Sequence, residues 1–315
     1  MGKPYLVGLS DVQVDLLLSM FVAYCHKVKH LVHGTISGKL SAIRYYHLQD
    51  TGRILSPHPL TAQAMAAVAK QCKAVQHRDA VFLQDIMIFW PTAAAAGGIV
   101  LTAWRGVLLA FFLLLRASEF LGDDKRRAPT HFCLRCEGVH FFGEGSAEPL
   151  PRHLWRTAAH ARLRLPGSKT DQRLIGTTLV VAATGGSAAD PVCVLADLLL
   201  SLPSTLLGTA PIMTVFRAGA QSMVTRAEVT ELVQAMVVAA GRDIDNVGIH
   251  AMRVGGATTL AAAGMSERAI KLAGRWRSEA YKVYIRDNMA DFTAITAALA
   301  GELSVATVTV AKGVR

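Results

Sequence analysis

The sequence predicts a mainly helical protein with a small antiparallel β-sheet, organised in two domains. The chain has 315 residues, which is about twice the usual length of one domain. Of these residues, 52% are hydrophobic and only 18% are charged, so the chain can bury a large core. Apolar residues recur at helical spacing near both ends, whereas short β-prone runs and turn residues occupy residues 130–181.

Residues 1–78 are predicted to form a small, basic, all-helical domain. The apolar spacing indicates helices at Val14–Val32, Ser37–Leu48 and Leu60–Val75. Thr35 is the expected N-cap of the second helix, because its hydroxyl can accept a hydrogen bond from a free amide in the first turn. The polar stretch Gln76–Ala80 is the predicted linker to the next domain.

Residues 79–301 are predicted to form the larger domain, followed by a tail at residues 302–315. The domain begins with helices at Leu83–Trp90 and Ile99–Leu121, and the second is apolar enough to belong in the core. Three strands of an antiparallel sheet are expected at Gly138–Phe142, Ala161–Leu165 and Thr177–Val181. Helices then return at Val194–Leu200, Arg226–Ala240, His250–Ala263, Glu267–Leu272 and Glu279–Asp287. Gly274 is the expected C-cap of the helix at residues 267–272.

The charge distribution favours a polyanionic partner or an acidic membrane surface. With 33 Lys and Arg residues against 23 Asp and Glu residues, the formal net charge is +10. No acidic residue lies between Asp15 and Asp50, where the basic side chains include Lys27, Lys29, Lys39 and Arg44. A second basic run has Asp171 as its only acidic residue and contains Arg152, Arg156, Arg162, Arg164, Lys169 and Arg173. Two separated basic stretches suit a protein that holds a duplex from two sides, although two solvated surfaces would have the same pattern.

Several features indicate an intracellular protein with no membrane segment. The five cysteines lie at irregular positions, which is not typical of a disulfide framework. The first residues lack the charged start and the apolar stretch of a signal peptide. The most apolar segment, Val107–Leu115, is too short for a bilayer, which requires about 20 residues. A location with DNA is expected, in the nucleus if the host is a eukaryote.

No metal site and no cofactor are predicted. Cys133 and Cys136 have the spacing of metal ligands, with His131 and His140 nearby, but no second cysteine pair follows them. The glycine pairs of the chain fit neither the P-loop nor the dinucleotide-binding spacing.

Three short patterns carry polar side chains suited to phosphate chemistry. Arg116 directly follows nine apolar residues, an expensive position for a guanidinium without a partner. His250 and Arg253 lie three positions apart at the start of a predicted helix, so they project from one face. Lys169 lies in a turn-rich segment between two predicted strands. Each pattern alone has an ordinary explanation: Arg116 pairs with Glu119, and the other side chains lie on the surface.

Taken together, the patterns resemble a known family. Tyrosine recombinases and phage-type integrases share an ordered constellation of Arg, Lys, His-x-x-Arg, His or Trp, and Tyr. The chain carries in the same order Arg116, Lys169, His250, Arg253, Trp276 and Tyr284. Thr35–Asp50 resembles the helical core-binding domain of this family, and residues 81–290 resemble its catalytic domain. The motifs Gly-Arg-Trp, Tyr-Ile-Arg and Ser-Lys-Thr-Asp-Gln are most similar to those of the transposon-borne, Crypton-like branch of the family.

The resemblance implies that the protein cleaves DNA by phosphoryl transfer. Arg116 and Arg253 would neutralise the non-bridging phosphate oxygens, where charge must be stabilised in the transition state. His250 would bond the phosphate or assist proton movement, and Lys169 would protonate the departing 5′ oxygen. Trp276 would hold the phosphate and pack the site, because its indole can only donate a hydrogen bond.

Two tyrosines compete for the role of nucleophile. Tyr281 and Tyr284 lie three positions apart on a predicted helix, so both could face the same side. Tyr284 is favoured, because Ile285 and Arg286 follow it and it lies eight positions after Trp276, near the family's usual interval. Tyr281 better fits an aromatic residue that packs the start of the helix. Attack by Tyr284 would give a 3′-phosphotyrosine, and this ester stores the bond energy, so neither ATP nor a metal is required.

The resemblance further implies that the protein clamps duplex DNA and exchanges strands within a homo-oligomer, a dimer or a tetramer. The residues expected to contact DNA are Lys27, Lys29, Lys39, Arg44, Arg162, Arg164 and Arg275. Two alternatives keep the same fold: a catalytically inactive DNA-binding protein, and a type IB topoisomerase-like enzyme that acts on one duplex. A helical scaffold protein is a third, and its retention on DNA would not depend on salt.

Overall fold

The computed structural model describes residues 6, 8–55, 59–72, 79–167, 171, 174–185, 188–244, 247–276 and 279–283. The predicted tail at residues 302–315 lies outside these described residues. The chain divides into two compact units, Met1–Gln76 and His77–Arg315. The predicted fold class is confirmed, since the described residues are mainly helical with small antiparallel sheets. Within the same residues, no helix has the length and the apolar character needed to cross a membrane.

The first unit contains three helices, α1 (Asp11–Lys27), α2 (His33–Thr51) and α3 (Pro59–Gln71). Its core consists of Val14, Leu18, Val22, Cys25, Ile36, Leu40 and Val68. The expected N-cap at Thr35 is wrong, because α2 already begins at His33 after Val32. The amides of Thr35 and Ile36 both donate to the Val32 carbonyl, so Thr35 lies inside the first turn.

Helices also dominate the second unit. They are α4 (Leu83–Ile88), α5 (Trp90–Ala96), α6 (Gly98–Phe112), α7 (Ala117–Phe120), α8 (Pro191–Leu200), α9 (Arg226–Ala239), α10 (His250–Ala262) and α11 (Glu267–Gly274). The expectation of a central apolar helix is confirmed for α6, whose Trp104, Val107 and Leu108 are fully buried. The neighbours of α6 include α8, α9 and α10. The end of α6 and the turn after it contact α10 at Arg253 and Gly256.

The predicted antiparallel sheet is confirmed, with strand order β1 (Val139–Phe142), β2 (His160–Leu165) and β3 (Thr177–Ala182). Side chains alternate along β2, so Arg162 and Arg164 are exposed while their neighbours are buried. A second antiparallel hairpin, β4 (Thr214–Arg217) with β5 (Ala220–Met223), was not predicted. The two residues of its turn, Ala218 and Gly219, both have positive φ angles. Glycine usually marks such a turn, and here only the second residue is a glycine.

Candidate active site

The segment that follows α6 carries Arg116 and bends the chain within the core. After α6 ends at Phe112, Leu114 adopts a left-handed backbone conformation with φ of 47°. Arg116 immediately precedes the short helix α7. The single helix predicted across Ile99–Leu121 is therefore wrong. The apolar pattern runs through the break because the residues of the turn, like those of α6, are buried, and spacing alone could not reveal it.

Glu119 lies at the centre of the polar contacts of this segment. Its carboxylate Oε1 accepts a hydrogen bond from Arg116 Nη1 at 2.9 Å, and Oε2 accepts one from the Arg116 amide at 2.8 Å. The Glu119 side chain is fully buried, whereas the Arg116 side chain is 18% exposed. The pairing of Arg116 with Glu119, raised as the ordinary explanation, is therefore present. Arg116 is not the only partner of this carboxylate, because Glu119 Oε2 also accepts a hydrogen bond from Arg275 Nη2 at 2.7 Å.

Helix α10 places Arg253 inside the protein. His250 is the first residue of the helix and is half-buried, while Arg253, one turn later, is only 1% exposed. Gly256 lets the helix approach the end of α6, because a β-carbon there would lie 2.7 Å from the Phe111 carbonyl oxygen. The Arg253 guanidinium donates hydrogen bonds to the carbonyl oxygens of Leu114 and Gly274. A single buried side chain thus joins the turn after α6 to the end of α11.

Trp276 packs directly over the end of α11. A β-carbon at Gly274 would overlap the indole ring, so only glycine leaves room for the ring at this position. The Arg253 guanidinium lies 4.3 Å from the centroid of the Trp276 ring, a cation–π contact. The Trp276 amide donates to the Lys271 carbonyl at 3.0 Å and that of Arg275 donates to the Leu272 carbonyl at 3.1 Å, a Schellman motif that ends the helix. The left-handed residue of this motif is Arg275, and not the predicted Gly274.

Arg275 is turned inward rather than onto an open surface. Its side chain is 11% exposed, and it donates to the carbonyl oxygens of Leu113 at 3.0 Å and Leu114 at 3.1 Å as well as to Glu119. Burial lowers the pKa of the Arg275 guanidinium, an effect that Glu119 opposes and Arg116 reinforces. This geometry differs from that of an exposed DNA contact, the role that the family resemblance implied for Arg275.

Tyr281 follows in a short 3₁₀ helix, Glu279–Val283, and is 1% exposed. Its ring centroid lies 6.4 Å from that of Trp276, and the Lys271 ammonium lies 5.0 Å from its centroid. Burial, ahead of a hydrogen bond with Glu267, raises the pKa of Tyr281 to about 12. The other two predicted site residues, Lys169 and Tyr284, lie outside the described residues.

The structure thus brings together three of the predicted residues, Arg116, Arg253 and Trp276, from separate segments of the chain, and His250 lies one helical turn before Arg253. One network of hydrogen bonds and ring contacts runs from Arg116 through Glu119 and Arg275 to Arg253 and Trp276. The guanidinium groups of Arg116 and Arg275 face the single carboxylate of Glu119, so these three side chains retain one net positive charge. Such a site suits an anion with several oxygens, such as a phosphodiester.

Sequence reasoning missed the part that Glu119 and Arg275 play in this site. For Glu119 the signal was its spacing from Arg116, which predicted the pair but not the second guanidinium. No local signal identified Arg275 as buried, because its partners lie more than 150 positions earlier in the chain.

The remaining basic residues predicted to contact DNA lie in both units. In the first unit, Lys27 and Lys29 are exposed at and just after the end of α1. On α2, Lys39 is exposed and Arg44 is half-buried. In the second unit, Arg162 and Arg164 extend from the outer face of β2, where Arg162 stacks at 4.3 Å on Phe142 and Arg164 donates to the Ile175 carbonyl.

Cys133 and Cys136, which have the spacing of metal ligands, are buried in the core of the second unit. Cys133 is fully buried and Cys136 is 4% exposed. Burial raises the pKa of the Cys133 thiol to about 12 and that of Cys136 to about 11, which opposes the thiolate form that metals bind. Among the described residues, no group of three or more His, Cys, Asp or Glu side chains could hold a metal ion.

Solved structures with a similar fold are recombinases and integrases, and the chain has the tyrosine recombinase fold. One is the Tn1549 transposon integrase in complex with a circular intermediate DNA, with a TM-score of 0.51, 12% identity, and coverage of 90% of this chain and 84% of that chain. Another is the XerH site-specific recombinase in a post-cleavage complex with palindromic difH substrate, with a TM-score of 0.52, 14% identity, and coverage of 89% and 69%. No family model and no curated protein matches the sequence.

Proposed function

We propose that this chain is a DNA strand transferase of the tyrosine recombinase type, which cleaves and rejoins DNA through a 3′-phosphotyrosine at Tyr284. The observation that carries the proposal is the single network that joins Arg116, Arg253 and Trp276 within this fold. Similar folds in complex with DNA, those of the Tn1549 integrase and XerH, support the proposal. The net charge of +10 agrees with a polyanionic substrate.

In this function, Arg116 binds the scissile phosphate, and the buried Arg253 stabilises the charge of the phosphate from within the core. Arg116 keeps an exposed fraction from which it can donate to a non-bridging oxygen while Glu119 holds its other face. Arg253 is fixed by two carbonyl oxygens and by the Trp276 ring, so little reorganisation is needed as charge develops on the phosphate. His250, at the N-terminus of α10, donates to the phosphate or moves the tyrosine proton, and the helix dipole there favours an anion.

The proton and covalent steps belong to Lys169 and Tyr284. The Tyr284 oxygen attacks the phosphorus, the bond to the 5′ oxygen breaks, and Lys169 gives that oxygen its proton. The burial of Tyr281 supports Tyr284 as the nucleophile, because a phenol with a pKa raised to about 12 is harder to deprotonate for attack. Rejoining reverses these steps with a 5′ hydroxyl as the attacking group, so no ATP is used.

The first unit, with Lys27, Lys29, Lys39 and Arg44, would be the core-binding domain, and the second unit would be catalytic. Together they would clamp double-stranded DNA, and strand exchange would take place within a dimer or tetramer on that DNA. The protein would act inside the cell, where its DNA substrate is located. The Gly-Arg-Trp motif at residues 274–276 supports a relation to the transposon-borne, Crypton-like branch.

The test is a nicked duplex, built from the DNA that flanks the coding sequence, whose cleaved fragment diffuses away and traps the covalent complex. Tyr284→Phe should bind this DNA like the parent and form no adduct, whereas Tyr281→Phe should retain some adduct. An adduct that persists in Tyr284→Phe, or that peptide mass spectrometry maps to Tyr281, refutes the assignment of the nucleophile. Absence of any adduct in the parent chain would instead favour an inactive DNA-binding protein.

Two further observations on the same substrate separate the remaining alternatives. Cleavage should survive EDTA, and a loss that zinc or magnesium restores would contradict the metal-free mechanism. Relaxation of supercoiled plasmid without joined products from two duplexes would favour the topoisomerase-like activity. Sequenced junctions between two DNA partners would support recombination.

A further inference from the structure

Arg275 lies at a backbone position that is costly for an arginine. Its φ of 57° and ψ of 40° are left-handed, and this conformation brings a β-carbon close to the following carbonyl oxygen. Helices that end in this way usually have glycine at the position. The contacts of the Arg275 side chain compensate for the conformational cost of this backbone geometry.

The Arg275 guanidinium uses both of its terminal nitrogens on the segment that carries Arg116. Nη1 donates to the Leu113 carbonyl at 3.0 Å, and Nη2 donates to the Leu114 carbonyl at 3.1 Å and to Glu119 Oε2 at 2.7 Å. The other carboxylate oxygen of Glu119 accepts from Arg116 at 2.9 Å. Glu119 therefore fixes the position of Arg116, and Arg275 in turn fixes the position of Glu119.

The same turn also defines the position of Trp276. Arg275 and Trp276 are consecutive, and both amides bond back to carbonyl oxygens of α11. The Leu114 carbonyl accepts from Arg253 as well as from Arg275. Any shift of Arg275 would therefore change the position of the turn after α6, which carries Arg116, relative to the end of α11, which carries Trp276.

We propose that Arg275 is a positioning residue for strand cleavage, which holds Arg116 through Glu119 and fixes the Trp276 turn against the segment after α6. This inference rests on the proposed function. The planar guanidinium is required because a lysine ammonium cannot direct separate donors to Leu113 on one side and to Leu114 and Glu119 on the other. The role differs from a direct phosphate contact, which would leave the guanidinium open to DNA.

The test compares Arg275→Gly, Arg275→Lys and Glu119→Gln with the parent chain. Glycine accepts the left-handed conformation without strain, so Arg275→Gly removes the guanidinium while keeping the turn. Arg242→Ala is a matched control, since Arg242 also donates to a buried carboxylate, Asp85 at 2.6 Å, and to a carbonyl oxygen, Ala80 at 3.1 Å. Each variant is assayed for the rate of adduct formation on the nicked duplex at saturating protein, for DNA affinity against salt, and for thermal stability.

Arg275→Gly should form the adduct about 100-fold more slowly at saturation, as expected for misplaced catalytic groups, with unchanged affinity and salt dependence. Arg275→Lys, which can still reach Glu119, should recover part of the rate. Glu119→Gln should also slow the reaction, and its effect should not add to that of Arg275→Gly, because both break one chain of contacts. Arg242→Ala should lose stability but cleave at the parent's rate.

Each other outcome overturns the inference in an identifiable way. If the parent forms adduct and Arg275→Gly cleaves at the same rate, Arg275 does not position the site, although the proposed function stands. If the salt slope falls by about one unit while the rate at saturation is kept, Arg275 contacts a DNA phosphate instead. If the parent forms no adduct, the proposed function fails and this inference fails with it. Should Arg275→Gly not fold, Arg275→Lys and Glu119→Gln decide the question.

Discussion

The Glu119 carboxylate, fully buried, holds two arginines that are far apart in the sequence. Burying a carboxylate is costly unless cations and other donors satisfy it, and here Arg116 and Arg275 do so through three hydrogen bonds. Removing either arginine leaves part of that carboxylate without its partner. This dependence is the basis of the proposal that Arg275, without contacting the phosphate, controls the geometry of Arg116.

Gly274 offers a test of the position of the Trp276 ring. Gly274→Ala places a β-carbon where the ring now lies, so the indole must move away from Arg253. We expect a loss of about 1–3 kcal/mol in the free energy of unfolding, as for other overpacked sites, together with a strong loss of adduct formation. Urea unfolding and the nicked-duplex assay measure the two effects.

A matched control for this substitution is Gly264→Ala. Gly264 has a positive φ of 72°, but no atom lies near the position of an added β-carbon. The control should lose about 1–2 kcal/mol of stability from backbone strain alone and cleave at the parent's rate. If Gly274→Ala also cleaves at that rate, the position of the Trp276 ring does not matter for the reaction.

The end of α6 shows tertiary contacts overriding helix propensity. Leucine favours helix, and the residues from Leu113 to Leu115 continue the apolar pattern of α6, yet the chain turns there. The carbonyl oxygens of Leu113 and Leu114 accept hydrogen bonds from guanidinium groups instead of from amides of a following helical turn. The break is therefore stabilised by Arg253 and Arg275, which no local pattern around residue 114 could reveal.

At the start of α9, Glu228 gives the protein a pH-dependent contribution to stability. Its carboxylate completes a capping box with Thr225 and also pairs with Arg127 and Arg217. Burial raises the pKa of Glu228, but hydrogen bonds from the Thr225 amide and Arg127 outweigh burial and lower the pKa below its ordinary value of 4.5. The folded state thus binds this proton more weakly than the unfolded state does.

The expected result is that the parent is more stable than Glu228→Gln by about 1 kcal/mol near neutral pH. Because the folded pKa is the lower one, this advantage is present above a pH of 4.5 and disappears as the pH falls through the folded pKa. Urea midpoints measured across this range test the sign. Glu231→Gln, at an exposed position on the same helix, is the control and should follow the parent at every pH. A difference between parent and Glu228→Gln that grows in acid would contradict the prediction.

For the whole molecule, the basic residues of both units predict DNA binding that is governed by salt. Replacing Lys39 and Arg44 together with alanine should flatten the slope of log affinity against log salt by about two units, one for each lost phosphate contact. The weakening should be similar for unrelated DNA sequences, since phosphates carry no sequence information. Fluorescence anisotropy over a range of salt concentrations measures both effects.

The double variant Lys125→Ala with Arg126→Ala removes the same charge from an exposed turn beside Asp123 and Asp124. It should leave the slope nearly unchanged, because the acidic neighbours oppose contact with a phosphate. Equal slopes for the parent and the Lys39 and Arg44 variant would show that these two residues do not contact the backbone of DNA.

The sequence by itself determined the fold class, the central apolar helix and the three-stranded sheet, whereas the grouping of Arg116, Arg253 and Trp276 was implied only by the resemblance to a known family. These follow from periodicity and from residues whose types and order are visible along the chain, and burial rewards that periodicity directly. Only the tertiary structure decided the break after Phe112, the left-handed turn at Arg275 and the shared use of Glu119. Each of these depends on a charged group meeting partners from a distant segment, and no local pattern records which of them will meet.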